Sequence, residues 1–91
     1  MGTGAEVLYI IKTKYIPKLI LYLPKNERER AIHEKILAKL RYMRRKELVS
    51  FSFMLREALQ DDAVSEDLKR LYRELLQELS EMAGKAQGEG A

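Results

Sequence analysis

The chain of 91 residues has no cysteine and no tryptophan, a single histidine, two prolines, and five glycines confined to its two ends. Without cysteine there is no disulfide, thiolate metal site or cysteine nucleophile. Without internal glycine there is no loop of the kind that cradles phosphate. His33 has no carboxylate pair at helical spacing to complete a metal site, and its expected role is a local hydrogen bond to Glu29. Ser50, Ser52 and Ser65 have explanations as helix caps, Ser80 has no visible base, and the adjacent Asp61 and Asp62 would point apart on any regular element. No catalytic residue, metal or cofactor is expected, and the chain does not read as an enzyme.

A long apolar run is also missing. Val7 to Leu23 comes nearest, but Lys12, Lys14, Pro17 and Lys18 interrupt it, whereas a spanning helix needs about 20 mostly apolar residues. The basic leader and cleavage site of a signal peptide are absent, so a soluble, cytoplasmic protein without a membrane partner is expected. Amides are scarce, with one Asn and three Gln, while Glu, Lys and Arg are abundant. That balance is thermophile-like.

What the chain does have is polarised charge. Met1 to Arg56 carries 13 Lys/Arg against 5 Asp/Glu, a balance of +8, and Glu57 to Ala91 carries 4 against 9, a balance of −5. The net +3 conceals this division. A basic half attracts polyanions or acidic partners, and an acidic half repels them.

The length allows one small domain, expected over 5–83, with a flexible N-terminus at 1–4 and a Gly- and Ala-rich disordered tail at 84–91. So small a unit would gain stability by dimerising. Between Glu6 and Leu23 two short apolar runs, rich in β-branched and aromatic residues, each meet a proline. They read as a strand or hairpin, since proline inside a helix costs about 3 kcal/mol. A helix remains the alternative, because Leu8, Ile11, Tyr15, Leu19 and Tyr22 also recur at three and four.

From Asn26 to Lys46 a helix is clear. Ile32, Ile36, Leu40 and Met43 form one apolar stripe, Asn26 suits the N-cap, and Glu27 and Glu29 suit the first turn. A second helix is expected from Ser50 or Ser52 to Gln60. Ser65 is expected to cap a third, in which Leu68, Tyr72, Leu75, Leu79 and Met82 make a short heptad seam seeking a partner, internal or external. The expected fold is therefore mainly α: a small three-helix domain with a short N-terminal β strand or hairpin, dimeric through the strand or the seam.

On the first helix Arg28, Lys35, Lys39 and Lys46 fall within about 40° of one another, with Tyr42 beside them. This stripe of about 27 Å could follow a phosphate backbone, although a solvated helix face has the same composition. Lys12, Lys14, Lys18, Arg44 and Arg45 widen the basic region. Tyr9, Tyr15 and Tyr22, interleaved with lysines, are candidates for stacking on unpaired bases or for half-buried packing.

The run Leu48-Val-Ser-Phe-Ser-Phe-Met-Leu-Arg-Glu-Ala-Leu59 resembles the second helix of ribbon-helix-helix DNA-binding proteins. That resemblance implies a dimer whose paired strands enter the major groove, with Lys18, Ile20 and Tyr22 facing bases and Ser50 and Ser52 near phosphate. The chain departs from the family in its longer first helix, in Leu48 where glycine is usual, and in Ile20 and Tyr22, which cannot make bidentate contacts to bases. The leading expectation is a nucleic-acid-binding protein, DNA more than RNA, acting as a regulator or accessory factor. The alternative is a small subunit docking on a larger protein through Leu68–Met82.

Overall fold

The computed structural model describes the backbone from Gly4 to Gly90 and the side chains from Val7 to Met82. Four α-helices follow one another: α1 (Gly4–Leu21), α2 (Glu27–Tyr42), α3 (Leu48–Leu59) and α4 (Glu66–Gly90), with a 3-10 turn (Arg45–Glu47) joining α2 to α3. Each helix packs on its neighbours in the ring α1–α2–α3–α4–α1, the arrangement of an antiparallel four-helix bundle. The N-terminus of α1, the C-terminus of α2, the 3-10 turn and the start of α3 share one end. The Tyr22–Asn26 and Gln60–Ser65 connections share the other.

No strand occurs among the described residues, so the expected N-terminal strand or hairpin is corrected to α1, and three helices become four. The reason is a matter of magnitude. Leu8, Ile11, Tyr15 and Leu19, spaced by three, four and four, are each at most 5 % exposed. Burying four such side chains yields roughly 1.5–3 kcal/mol apiece, more than the ~3 kcal/mol that proline costs inside a helix. Pro17 itself lies on the exposed side, away from the packing.

α2 begins as its sequence suggests: the Asn26 side chain accepts a hydrogen bond from the Glu29 amide. It ends earlier than expected, at Tyr42, with Lys12 donating to the carbonyls of Met43 at 2.7 Å and Arg41 at 3.3 Å. A cation on the unpaired carbonyls at a helix end is favourable for both hydrogen bonding and the helix dipole. α3 starts at Leu48, which places Ser50 and Ser52 inside the helix and not at its cap. The Ser50 hydroxyl instead donates back to the Glu47 carbonyl.

The heptad seam of α4 finds its partner within the chain. Leu68, Tyr72 and Leu75 are wholly buried and Leu79 and Met82 nearly so, packed with Phe51, Leu55, Ile36, Leu40 and the α1 residues in one core. The seam is thus corrected from a docking face to the central layer of the bundle. The N-terminus expected to be flexible at 1–4 enters α1 at Gly4, and the tail expected to be disordered at 84–91 carries the backbone of α4 as far as Gly90; residues 1–3 and 91 lie outside the described residues.

Two polar residues enter this core, Glu29 and His33. Glu29 receives the Lys25 amide at 2.6 Å, the Ser65 amide at 2.7 Å and the Tyr22 hydroxyl at 2.8 Å. An ionised carboxylate only accepts, so Tyr22 donates to it and its oxygen accepts a hydrogen bond from the Ser65 hydroxyl. Ser65 stands directly before α4, and its carbonyl accepts from the Lys69 amide. His33 does not bond Glu29. Its Nε2 donates to the Leu19 carbonyl at 2.7 Å, which leaves Nδ1 to accept from the Tyr72 hydroxyl at 2.9 Å. The His33 ring also meets Tyr22 edge-on, with centroids 5.4 Å apart.

Burial pushes the Glu29 carboxyl upward, but the Ser65 and Lys25 amides and the Tyr22 hydroxyl outweigh it and hold the group down at about 2, from an ordinary 4.5. A folded-state value below the unfolded one gives stability that is complete above about pH 4.5 and is lost as the pH falls towards 2. Glu29→Gln keeps the shape but removes the charge and sets an NH2 group against donors. It should cost about 3 kcal/mol at pH 7. Thermal melts from pH 7 to pH 3 should show a shallower acid loss in the variant than in the parent; parallel curves would sink this assignment.

Candidate nucleic-acid interface

The folded chain brings its two oppositely charged halves together. Lys14 of α1 pairs with Glu78 of α4 at 2.7 Å, Lys25 with Asp67 at 3.3 Å, and Arg28 of α2 with Asp61 at 2.8 Å. The hydrogen bond from Arg28 holds the Asp61 carboxyl below its usual value, and the bond to Glu78 raises Lys14 above its own. Within the basic half Lys39 pairs with Glu47 at 2.5 Å, and that contact lowers Glu47.

This pairing removes part of the stripe read from α2. Arg28 and Lys39 are turned towards carboxylates at the two ends of the α2–α3 groove, and Lys46 lies beyond the end of the helix. Lys35 remains exposed between them, above a hollow of 320 Å³ floored by Ile32, Ile36, Met54 and Ala58. Lys12 is engaged with the end of α2, Lys14 with Glu78, and Lys18 lies over the Tyr15 ring at 5.3 Å. Ser50 is occupied by the Glu47 carbonyl, and Ser52 is half-buried on α3. The positions that the ribbon-helix-helix resemblance assigns to bases are likewise reassigned: Lys18 and Ile20 belong to α1, and the Tyr22 hydroxyl is bound to Glu29 and Ser65.

What remains together is the basic end. Over the six residues Arg41–Lys46 stand four cations, Arg41, Arg44, Arg45 and Lys46, all exposed, and none forms an ion pair among the described residues. The geometry gathers them because α2 stops at Tyr42 and the 3-10 turn reverses the chain at once. The Arg44 amide is held by the Glu47 carboxylate at 3.0 Å, which fixes the turn. Tyr42 is 78 % exposed, and Phe53 of α3 is also exposed, with the Arg56 guanidinium 5.9 Å from its ring centre. Tyr9 is exposed one helical turn from Lys12, whose ammonium reaches the Arg41 carbonyl.

Tyr15, in contrast, is buried, and burial together with the Glu78 charge pushes its hydroxyl up to about 12. Of the tyrosines weighed for base stacking, Tyr15 and Tyr22 are therefore structural, and Tyr9 alone faces solvent. Arg41 escaped the sequence reading because its helical angle sets it apart from the α2 stripe. The signal that could have found it is linear: four cations in six residues with no acid among them.

Lys12 is a structural cation in this arrangement. Lys12→Met should lower stability by about 1 kcal/mol through the lost carbonyl contacts, with polyanion binding nearly unchanged. Denaturant unfolding and anisotropy titrations on the same sample separate the two effects. Comparison of the chain with protein-family models, with curated proteins and with solved structures gives no match.

Proposed function

We propose that this protein binds nucleic acid without catalysis, through the basic end formed by Arg41, Arg44, Arg45 and Lys46. The observation that carries the reading is that these four cations lie within six residues and none forms an ion pair among the described residues, although the Glu47 carboxylate lies beside Arg44. Unpaired, solvated cations are the ones that release counterions from a phosphate backbone when they bind. Arg28, Lys14 and Lys39 contribute less, since each would first leave its own carboxylate. This shifts the proposed surface from the α2 stripe to the turn after it.

About four neutralised phosphates predict a slope near −3.6 for log K against log salt on duplex DNA, and near −2.8 on a single strand. Arg44→Glu/Arg45→Glu/Lys46→Glu should abolish binding, while Lys14→Glu should leave it within about twofold. Fluorescence anisotropy at several salt concentrations measures both. A triple variant that binds as well as the parent would exclude the basic end.

A second reading, a subunit that docks on another protein, is favoured by a separate surface. The outward side of α1 shows Tyr9, Ile10, Ile20 and Leu21 to solvent, with Leu23 just beyond. The lysines of this helix are turned elsewhere, towards the end of α2, Glu78 and the Tyr15 ring. On this reading Ile10→Glu/Leu21→Glu should abolish association without unfolding the bundle, whether the partner is a second copy or a larger complex. Sedimentation of parent and variant, alone and in mixtures with a captured partner, tests it.

A further inference from the structure

The proposed basic end carries a feature that phosphate neutralisation does not require. Tyr42, the last residue of α2, is 78 % exposed and edges a hollow between α2 and α3 beside Lys35, Lys39 and Ser50, with Arg41 before it in sequence and Arg44 two residues after. Tyr9, 70 % exposed, lies one helical turn along α1 from Lys12, whose ammonium reaches the Arg41 carbonyl. Neither ring is needed for the core, which is closed beneath them by Met43, Leu40 and Leu8. An exposed aromatic ring gains from a flat apolar face, and in nucleic acid such a face is available only where bases are not already stacked within a duplex.

Resting on the nucleic-acid reading, we infer that the ligand of this end is a single strand, with Tyr42 stacking on one base and Tyr9 on a second. On this reading the cations hold the phosphates flanking the base on Tyr42, since Arg41 directly precedes it and Arg44, Arg45 and Lys46 follow on the turn. The secondary structure supports the choice against a duplex. The cluster lies on a helix end and a tight turn, with α2 and α3 both directed back into the bundle, so it offers no free helix or strand to enter a major groove. The surface commits to the polymer and not to its sugar, because ring stacking and phosphate contacts are common to DNA and RNA.

The experiment is an anisotropy titration of the full chain, at low salt, with a 12-nucleotide oligo-dT, a 12-nucleotide oligo-U and a 12-base-pair duplex. The parent should bind the single strands at least tenfold more tightly than the duplex. Tyr42→Ala should weaken single-strand binding about tenfold, within the range found for loss of one stacked base, and should leave duplex binding unchanged. Tyr42→Phe should retain it, since the face and not the hydroxyl does the stacking. An unaltered thermal melt of Tyr42→Ala confirms that a loss is not unfolding. Equal affinity for strand and duplex, with Tyr42→Ala indifferent, would overturn the single-strand inference while the basic end stood as a general phosphate surface. No binding to any of the three would remove the nucleic-acid reading itself.

Discussion

The Glu29 carboxylate is the constraint on which the rest of this bundle depends. It sits in the first turn of α2, yet it accepts from the Lys25 amide just before the Asn26 cap and from the Ser65 amide at the start of α4, and it anchors Tyr22 as the chain leaves α1. Three helix ends are therefore held by two oxygen atoms. A buried charge is tolerated only where hydrogen bonds replace its lost hydration, and here three donors converge on it. Beside it, His33 links the end of α1 to Tyr72 of α4 across the bundle. Apolar packing alone would leave four amphipathic helices free to slide in register; these directional contacts select one arrangement.

The same geometry alters the meaning of the charge pattern. A basic half and an acidic half in one chain need not produce a molecule with two differently charged ends. α1 and α2 are brought against α4 and the α3–α4 connection, so Lys14, Lys25 and Arg28 meet acids from the other half. Such exposed pairs add little stability each. Their larger effect is on the surface, where they remove some cations from availability and leave the Arg41–Lys46 turn as the concentrated positive field.

Local pattern carried much of the helical architecture. The Asn26 cap, the stripe Ile32–Ile36–Leu40 and the α4 seam are all readable, because each is a statement about neighbours three or four residues away. What could not be read was whether those faces meet one another. The seam of α4 asks for a partner, and only the fold supplies Phe51, Leu55 and the α1 stripe. α1 was misjudged because a proline has a local cost that is easy to state, whereas the burial of Leu8, Ile11, Tyr15 and Leu19 is a sum over long-range contacts. Glu29 looked like an ordinary first-turn acid, since its decisive partner, the Ser65 amide, is 36 residues away in sequence. For the candidate site, the cation run was legible and the surviving subset was not, because ion pairing to Asp61, Glu78 and Glu47 is decided in three dimensions.

The Glu29 clasp and the Arg41–Lys46 turn occupy opposite ends of α2, about 20 Å apart along its axis. Substitutions at Tyr42, Arg44, Arg45, Lys46 or Phe53 touch neither the buried polar contacts nor the central core layer. Changes at this end can therefore accumulate without passing through intermediates that fail to fold. The molecule is in that sense divided into a buried anchor and an exposed tip, joined by one helix.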